Sequence, residues 1–118
     1  MKRQLASLDR HTVLECEYDQ PDRYSQIVAA AAGSDKLITR GAGVSYAGGS
    51  FSEYSRSIDM SRFDRILSFD ANRRLIEVEA GVSLGKLFQF LTPRGLHLPV
   101  HPGHPQITIG GCIAANVH

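Results

Sequence analysis

What this 118-residue chain lacks narrows its function first. Its two cysteines, Cys16 and Cys112, lie far apart and form no disulfide framework. A reducing, cytoplasmic setting is therefore the simplest expectation. Thirteen Lys plus Arg against twelve Asp plus Glu leave a formal net charge of +1. That balance offers no basic surplus for nucleic acid and no charged tail. No apolar run approaches the ~20 residues of a membrane span. Met1 to Leu5 carries positive charge but is not followed by the apolar stretch of a signal peptide. There is no internal repeat and no low-complexity tract.

What remains is ordinary globular material, 42% hydrophobic and 21% charged, of a length that fits one small domain. Val13, Leu14, Cys16 and Tyr18 suggest a strand over 12–18. Gln20-Pro21-Asp22 resembles a helix start. Tyr24, Ile27, Val28 and Ala31 then recur at helical spacing, which predicts an amphipathic helix stopped by Gly33. Leu37–Thr39 reads as a short buried strand, and 56–60 as another, with Ile58 and Met60 inward. Residues 64–80 read as a β-hairpin around Asp70-Ala71-Asn72-Arg73. In it Ile76, Val78 and Ala80 face inward, and Glu77 and Glu79 face solvent. Ser83 is a good N-cap for a helix bearing Leu84, Leu87, Phe88 and Leu91, which Pro93 and Gly95 end. Residues 96–111 are largely loop, and a helix is expected to begin within 112–118. The end, Ile113-Ala114-Ala115-Asn116-Val117-His118, reads as the interior of an element, so a piece of a longer protein is expected.

Two glycine-rich segments carry the chemistry. Arg40-Gly41-Ala42-Gly43-Val44-Ser45-Tyr46-Ala47-Gly48-Gly49-Ser50 follows a short apolar run. Glycine permits close approach to the backbone, and successive N–H groups can form an anion-binding nest beside the fixed charge of Arg40. The loop is not a P-loop, because no Gly-Lys-Ser/Thr follows. It is not a Rossmann fingerprint, because Tyr46 stands where the third glycine belongs. From spacing alone, a phosphate cradle and a ligand-free flexible loop both fit. The second segment, 102–118, holds Pro102, Gly103, Gly110 and Gly111 before small residues. It could present a helix N-terminus to a phosphate. By itself, a tight turn that packs a small-residue helix is the simpler reading.

Other candidates lead nowhere comparable. His97, His101 and His104 have no helical register and no nearby Cys or carboxylate, so no metal is expected. Ser45 lacks the partners of a hydrolase triad. Cys112 reads as a small hydrophobe rather than a reactive thiol.

The two glycine segments in this order are more specific than either alone. Residues 40–50, Ser-Ile-Asp-Met-Ser at 57–61, Ile-Glu-Val-Glu-Ala-Gly-Val-Ser-Leu-Gly-Lys-Leu at 76–87, and Pro-Gly-His-Pro-Gln-Ile-Thr-Ile-Gly-Gly-Cys-Ile-Ala-Ala-Asn-Val-His at 102–118 resemble the vanillyl-alcohol-oxidase/p-cresol-methylhydroxylase (PCMH) type of FAD-binding domain. The resemblance covers nearly all of 12–118. The closing Ala-Ala-Asn-Val-His resembles the sugar-oxidising, decaprenylphosphoryl-ribose oxidase-like branch of the FAD-linked oxidases.

The resemblance implies an α+β fold: a small mixed β-sheet with flanking helices, the first subdomain of a PCMH-type FAD-binding domain. It implies that 1–118 is the N-terminal part of such a domain. Arg40, Gly41, Ala42, Gly43, Val44, Ser45 and Tyr46 would hold the FAD pyrophosphate. Pro102, Gly103, His104, Thr108, Gly110, Gly111, Ala115, Val117 and His118 would run along the rest of the cofactor, with His118 close to the flavin ring. His104 stands where threonine is common. Family members that tether FAD covalently place a histidine where Val44 stands, so non-covalent FAD is implied. The implied enzyme oxidises a CH–OH group, on a small-molecule sugar or polyol. The 118 residues alone are expected to be inactive. A reductase of the enolpyruvyl-sugar-nucleotide type shares the domain and stays open. So does a non-enzymatic module for a phosphorylated ligand.

Overall fold

Alternation builds the first sheet. In β2 (Val13–Asp19), Leu14, Cys16 and Tyr18 share one face, and Cys16 and Tyr18 are buried. Strand β1 (Lys2–Ala6) pairs antiparallel with it, setting Leu5 opposite Leu14. The sequence does not announce β1, because Lys2-Arg3-Gln4 has no apolar alternation. Helix α1 (Tyr24–Ala32) leads to β3 (Leu37–Arg40), and β4 (Arg56–Asp59) follows the glycine loop. The sheet order is β1-β2-β4-β3, with β4 parallel to both neighbours. The computed structural model describes residues 1–45 and 48–118.

The backbone divides into two units, Met1–Arg62 and Phe63–His118. Leu5, Cys16, Tyr18 and Phe51 form the core of the first, with Leu14 packed against it. Ser57, Ile58 and Asp59 of β4 are all buried, as an inner strand requires. The Tyr18 hydroxyl donates to Asp59 Oδ2 inside this sheet. Burial and the adjacent carboxylate push the Tyr18 phenol up to about 12. Arg56 joins the sheet to its surroundings through Asp19 at 2.7 Å and Asp35 at 3.2 Å.

The second unit opens with a hairpin, β5 (Ile66–Asp70) and β6 (Leu75–Val78). Asp70 Oδ1 accepts from the Arg73 N–H in the turn, and Arg74 takes φ 54°. Helix α2 (Leu84–Leu91) starts at Ser83, whose hydroxyl accepts from the Lys86 N–H at 3.1 Å. Leu84, Leu87 and Leu91 are its buried face. Val82, Leu87 and Leu91 form the core, with Phe69, Ile76, Val78, Leu96, Leu98 and Ile109 against it. A 3₁₀ turn, Thr92–Arg94, and Gly95 at φ 71° close the helix. A short helix α3 (Ile109–Ala114) follows the loop. The small mixed sheet with few helices is the expected α+β arrangement.

Several local expectations are corrected. Helix α1 starts at Tyr24, three residues past Pro21, because Gln26 Oε1 accepts from the N–H groups of Asp22 and Arg23. No residue of α1 is buried, and its apolar stripe is open, with Tyr24 55% and Val28 68% exposed. Met60 is only half-buried and lies beyond β4, and Ala80 is exposed beyond β6. Glu79 is buried rather than solvent-facing. Its carboxylate takes the Arg65 guanidinium at 2.7 and 3.0 Å and the Arg65 N–H at 2.9 Å, which compensates the buried charge. Glu77 is exposed as expected. Helix α3 starts at Ile109, not within 112–118, because Thr108 caps it.

Candidate functional site

Strand β3 delivers Arg40 to the start of the first glycine segment, where it ends. The loop leaves β3 at Gly41 and is tied back by the Leu8 N–H, which donates to Ser45 O at 3.1 Å. Gly43 adopts φ 72°, the left-handed region that strains a residue with a Cβ. The N–H groups of Ala42, Gly43, Val44 and Ser45 find no backbone or side-chain acceptor among the described residues. Ala42 and Ser45 are exposed, while Arg40, Gly41, Gly43 and Val44 are half-buried. Arg40 Nη1 donates to Ser50 Oγ at 2.8 Å, and no carboxylate pairs with Arg40 among the described residues. N–H groups without an acceptor among the described residues, beside a guanidinium with no carboxylate partner there, fit an anionic group such as a pyrophosphate. Tyr46 lies outside the described residues.

The second segment is built the other way. The Ile109 N–H donates to Val82 O and the Gly110 N–H to Ala80 O, each at 2.9 Å. Gly111 N–H donates to the Thr108 hydroxyl at 3.1 Å, and Cys112 N–H to Thr108 O at 2.9 Å. Thr108 is buried and bridges to Ser83. A Cβ at Gly110 would sit 3.2 Å from both Ala80 O and Ala80 Cβ, so close backbone packing explains this glycine. Leu84 and Gly85 N–H groups hold the carbonyls of Ile107 and Pro105 at 2.9 and 2.8 Å. His104 is half-buried, and its Nδ1 accepts from the Gln106 N–H at 3.1 Å. Pro102 is half-buried, while Gly103, Gly111, Ala115, Val117 and His118 are exposed. His118 Nδ1 lies 2.8 Å from Asn116 O.

His101 meets Phe88 edge to face at 5.2 Å between ring centroids. Among the described residues no three metal-ligating side chains come together. Burial pushes the Cys112 thiol up, away from a thiolate. Among the described residues no helix is long and apolar enough to cross a membrane.

A sequence profile described as the FAD binding domain matches residues 17–118. The chain belongs to this FAD-binding family. Decaprenylphosphoryl-beta-D-ribose oxidase of Mycolicibacterium smegmatis is 42% identical over 90 residues, 76% of this chain and 20% of that protein. Delta(24)-sterol reductase homolog dhcr-24 of Caenorhabditis elegans is 35% identical over 63 residues, 53% of this chain and 12% of that protein. The FAD-binding domain also superposes on a solved alkyldihydroxyacetonephosphate synthase with a TM-score of 0.74 at 20% identity. That match covers 93% of this chain and 24% of the other. The fold is therefore that of the PCMH-type FAD-linked enzymes, and the cofactor is FAD. The chain spans about a fifth or less of the length of these curated relatives.

Ser50 lies outside the residues that the resemblance assigns to the pyrophosphate, yet it contacts them. It closes the far end of the quoted glycine run, and its hydroxyl receives Arg40.

Proposed function

We propose that this FAD-binding domain holds FAD non-covalently and serves the oxidation of a CH–OH carbon on a sugar or polyol. FAD supplies the hydride-accepting chemistry when bound, and the protein contributes binding and orientation. Arg40 to Ser45 take the pyrophosphate through backbone N–H groups. Pro102, Gly103, His104, Gly111, Ala115, Val117 and His118 offer surface to the rest of the cofactor. Thr108 and Gly110 shape that segment from within.

The observation that carries the reading is the run of N–H groups from Ala42 to Ser45, without an acceptor among the described residues, beside Arg40. Val44 supports non-covalent binding, because an alkyl side chain has no nucleophile for a flavin bond. The sugar or polyol substrate is supported by the 42% identity to a ribose oxidase. The 118 residues by themselves should bind FAD weakly and turn nothing over.

A titration followed by flavin fluorescence tests the binding. FAD should be taken up in preference to ADP or a sugar nucleotide, and acid precipitation should leave all flavin in the supernatant. Equal uptake of the three ligands would instead mark a phosphorylated-ligand module. Flavin that stays with the precipitate would refute non-covalent binding.

A further inference from the structure

We infer that Arg40 is a positioning residue whose guanidinium braces the glycine loop from within, through Ser50 and over Gly43, and so sets the loop's affinity for FAD. The affinity part rests on the reading that this loop takes the FAD pyrophosphate.

The geometry ties the two limbs of the loop together. Arg40 stands at the end of β3 and is half-buried. Its Nη1 reaches ten residues along the chain to Ser50 Oγ at 2.8 Å. Ser50 is itself held, because the Ser57 hydroxyl on β4 donates to Ser50 O at 3.0 Å. The guanidinium carbon lies 5.8 Å from the centroid of the buried Phe51 ring. On the near limb, a Cβ at Gly43 would fall 2.7 Å from that same carbon. Gly43 therefore answers two demands, its φ of 72° and the volume of the Arg40 head. A lysine would keep the charge but not the planar fork that spans both limbs. A loop already held in shape loses less conformational freedom when a ligand binds, which strengthens binding.

Two measurements on the wild-type chain, Arg40→Lys, Ser50→Ala, the double variant and Ser50→Thr test this. Limited proteolysis without FAD reads the brace. Arg40→Lys and Ser50→Ala should both speed cleavage within 41–49 several-fold, and Ser50→Thr should restore the wild-type rate. FAD titration reads the consequence. Each single variant should weaken binding about tenfold, as expected for a lost hydrogen bond to a charged group. The double variant should bind no more weakly than the weaker single one. Wild-type cleavage and affinity in Ser50→Ala would overturn the brace, as would a double variant showing the product of both losses. If Ser50→Ala does not fold, Arg40→Lys decides, since it keeps the charge and removes only the fork. If the wild-type chain took up no FAD, the pyrophosphate reading would fall, and the cleavage rates would still decide the brace.

Discussion

From Ala42 to Ser45 the backbone N–H groups have no acceptor among the described residues, whereas from Ile109 to Cys112 each is bonded inside the chain. Both segments are rich in glycine, and both sit where the sequence resembles an FAD-binding domain. Their glycines do different physical work. Gly43 takes a left-handed φ beside a guanidinium, and Gly110 lets two backbones approach within the second unit. Donors that are already satisfied have little to offer an anion, while unsatisfied exposed donors can be redirected to one. The first loop is thus equipped to grip charge, and the second to shape a surface.

The largest effect should come from filling the packed glycine. Gly110→Ala places its Cβ 3.2 Å from both Ala80 O and Ala80 Cβ, so Ala80 must give by a few tenths of an ångström, and where it is held in place such overpacking costs up to about 2 kcal/mol. Thermal unfolding should show the loss without added ligand. An unchanged melt would mean that Gly110 is free to serve the cofactor alone, and the contrast would break.

Gly43→Ala should act mainly on binding. It meets both the left-handed φ and the Arg40 head, so FAD affinity should fall about tenfold, the equivalent of ~1.4 kcal/mol. A titration in which Gly43→Ala matched the wild type would remove the first loop from the site.

These predictions show where the sequence was legible. Strand β3, the hairpin and helix α2 follow from period and caps, because Leu84, Leu87 and Leu91 bury at the spacing that predicts them. The first loop was legible only as glycine and serine after a strand, which fits a phosphate cradle and a ligand-free loop alike; the structure adds the N–H groups from Ala42 to Ser45 that lack an acceptor among the described residues. The role of Thr108 was not legible. A threonine reads equally as a ligand contact or as an N-cap, and the structure shows the cap, with the Gly111 N–H bonded to its hydroxyl. Glu79 was misread because alternation alone cannot see Arg65, fourteen residues earlier. Helix α1 shows the reverse failure: helical apolar spacing is present, yet the stripe is open.

The last predicted effect, confined to alkaline pH, concerns the sheet that carries the first loop. The Tyr18 phenol is pushed up from 10.0 to about 12, so the fold favours its neutral form. Its contribution is complete below about pH 10 and is lost as pH climbs toward about 12. Chemical unfolding between those values should show stability falling, and Tyr18→Phe should flatten that limb. A Tyr18→Phe protein with the same alkaline decline would place the titrating group elsewhere.

Amide hydrogen exchange with and without FAD tests the central claim most directly. The account predicts that FAD slows exchange at Ala42 to Ser45, while Ile109 to Cys112 are slow beforehand and change little. Protection by FAD confined to Ile109–Cys112, with Ala42–Ser45 still exchanging freely, would contradict it.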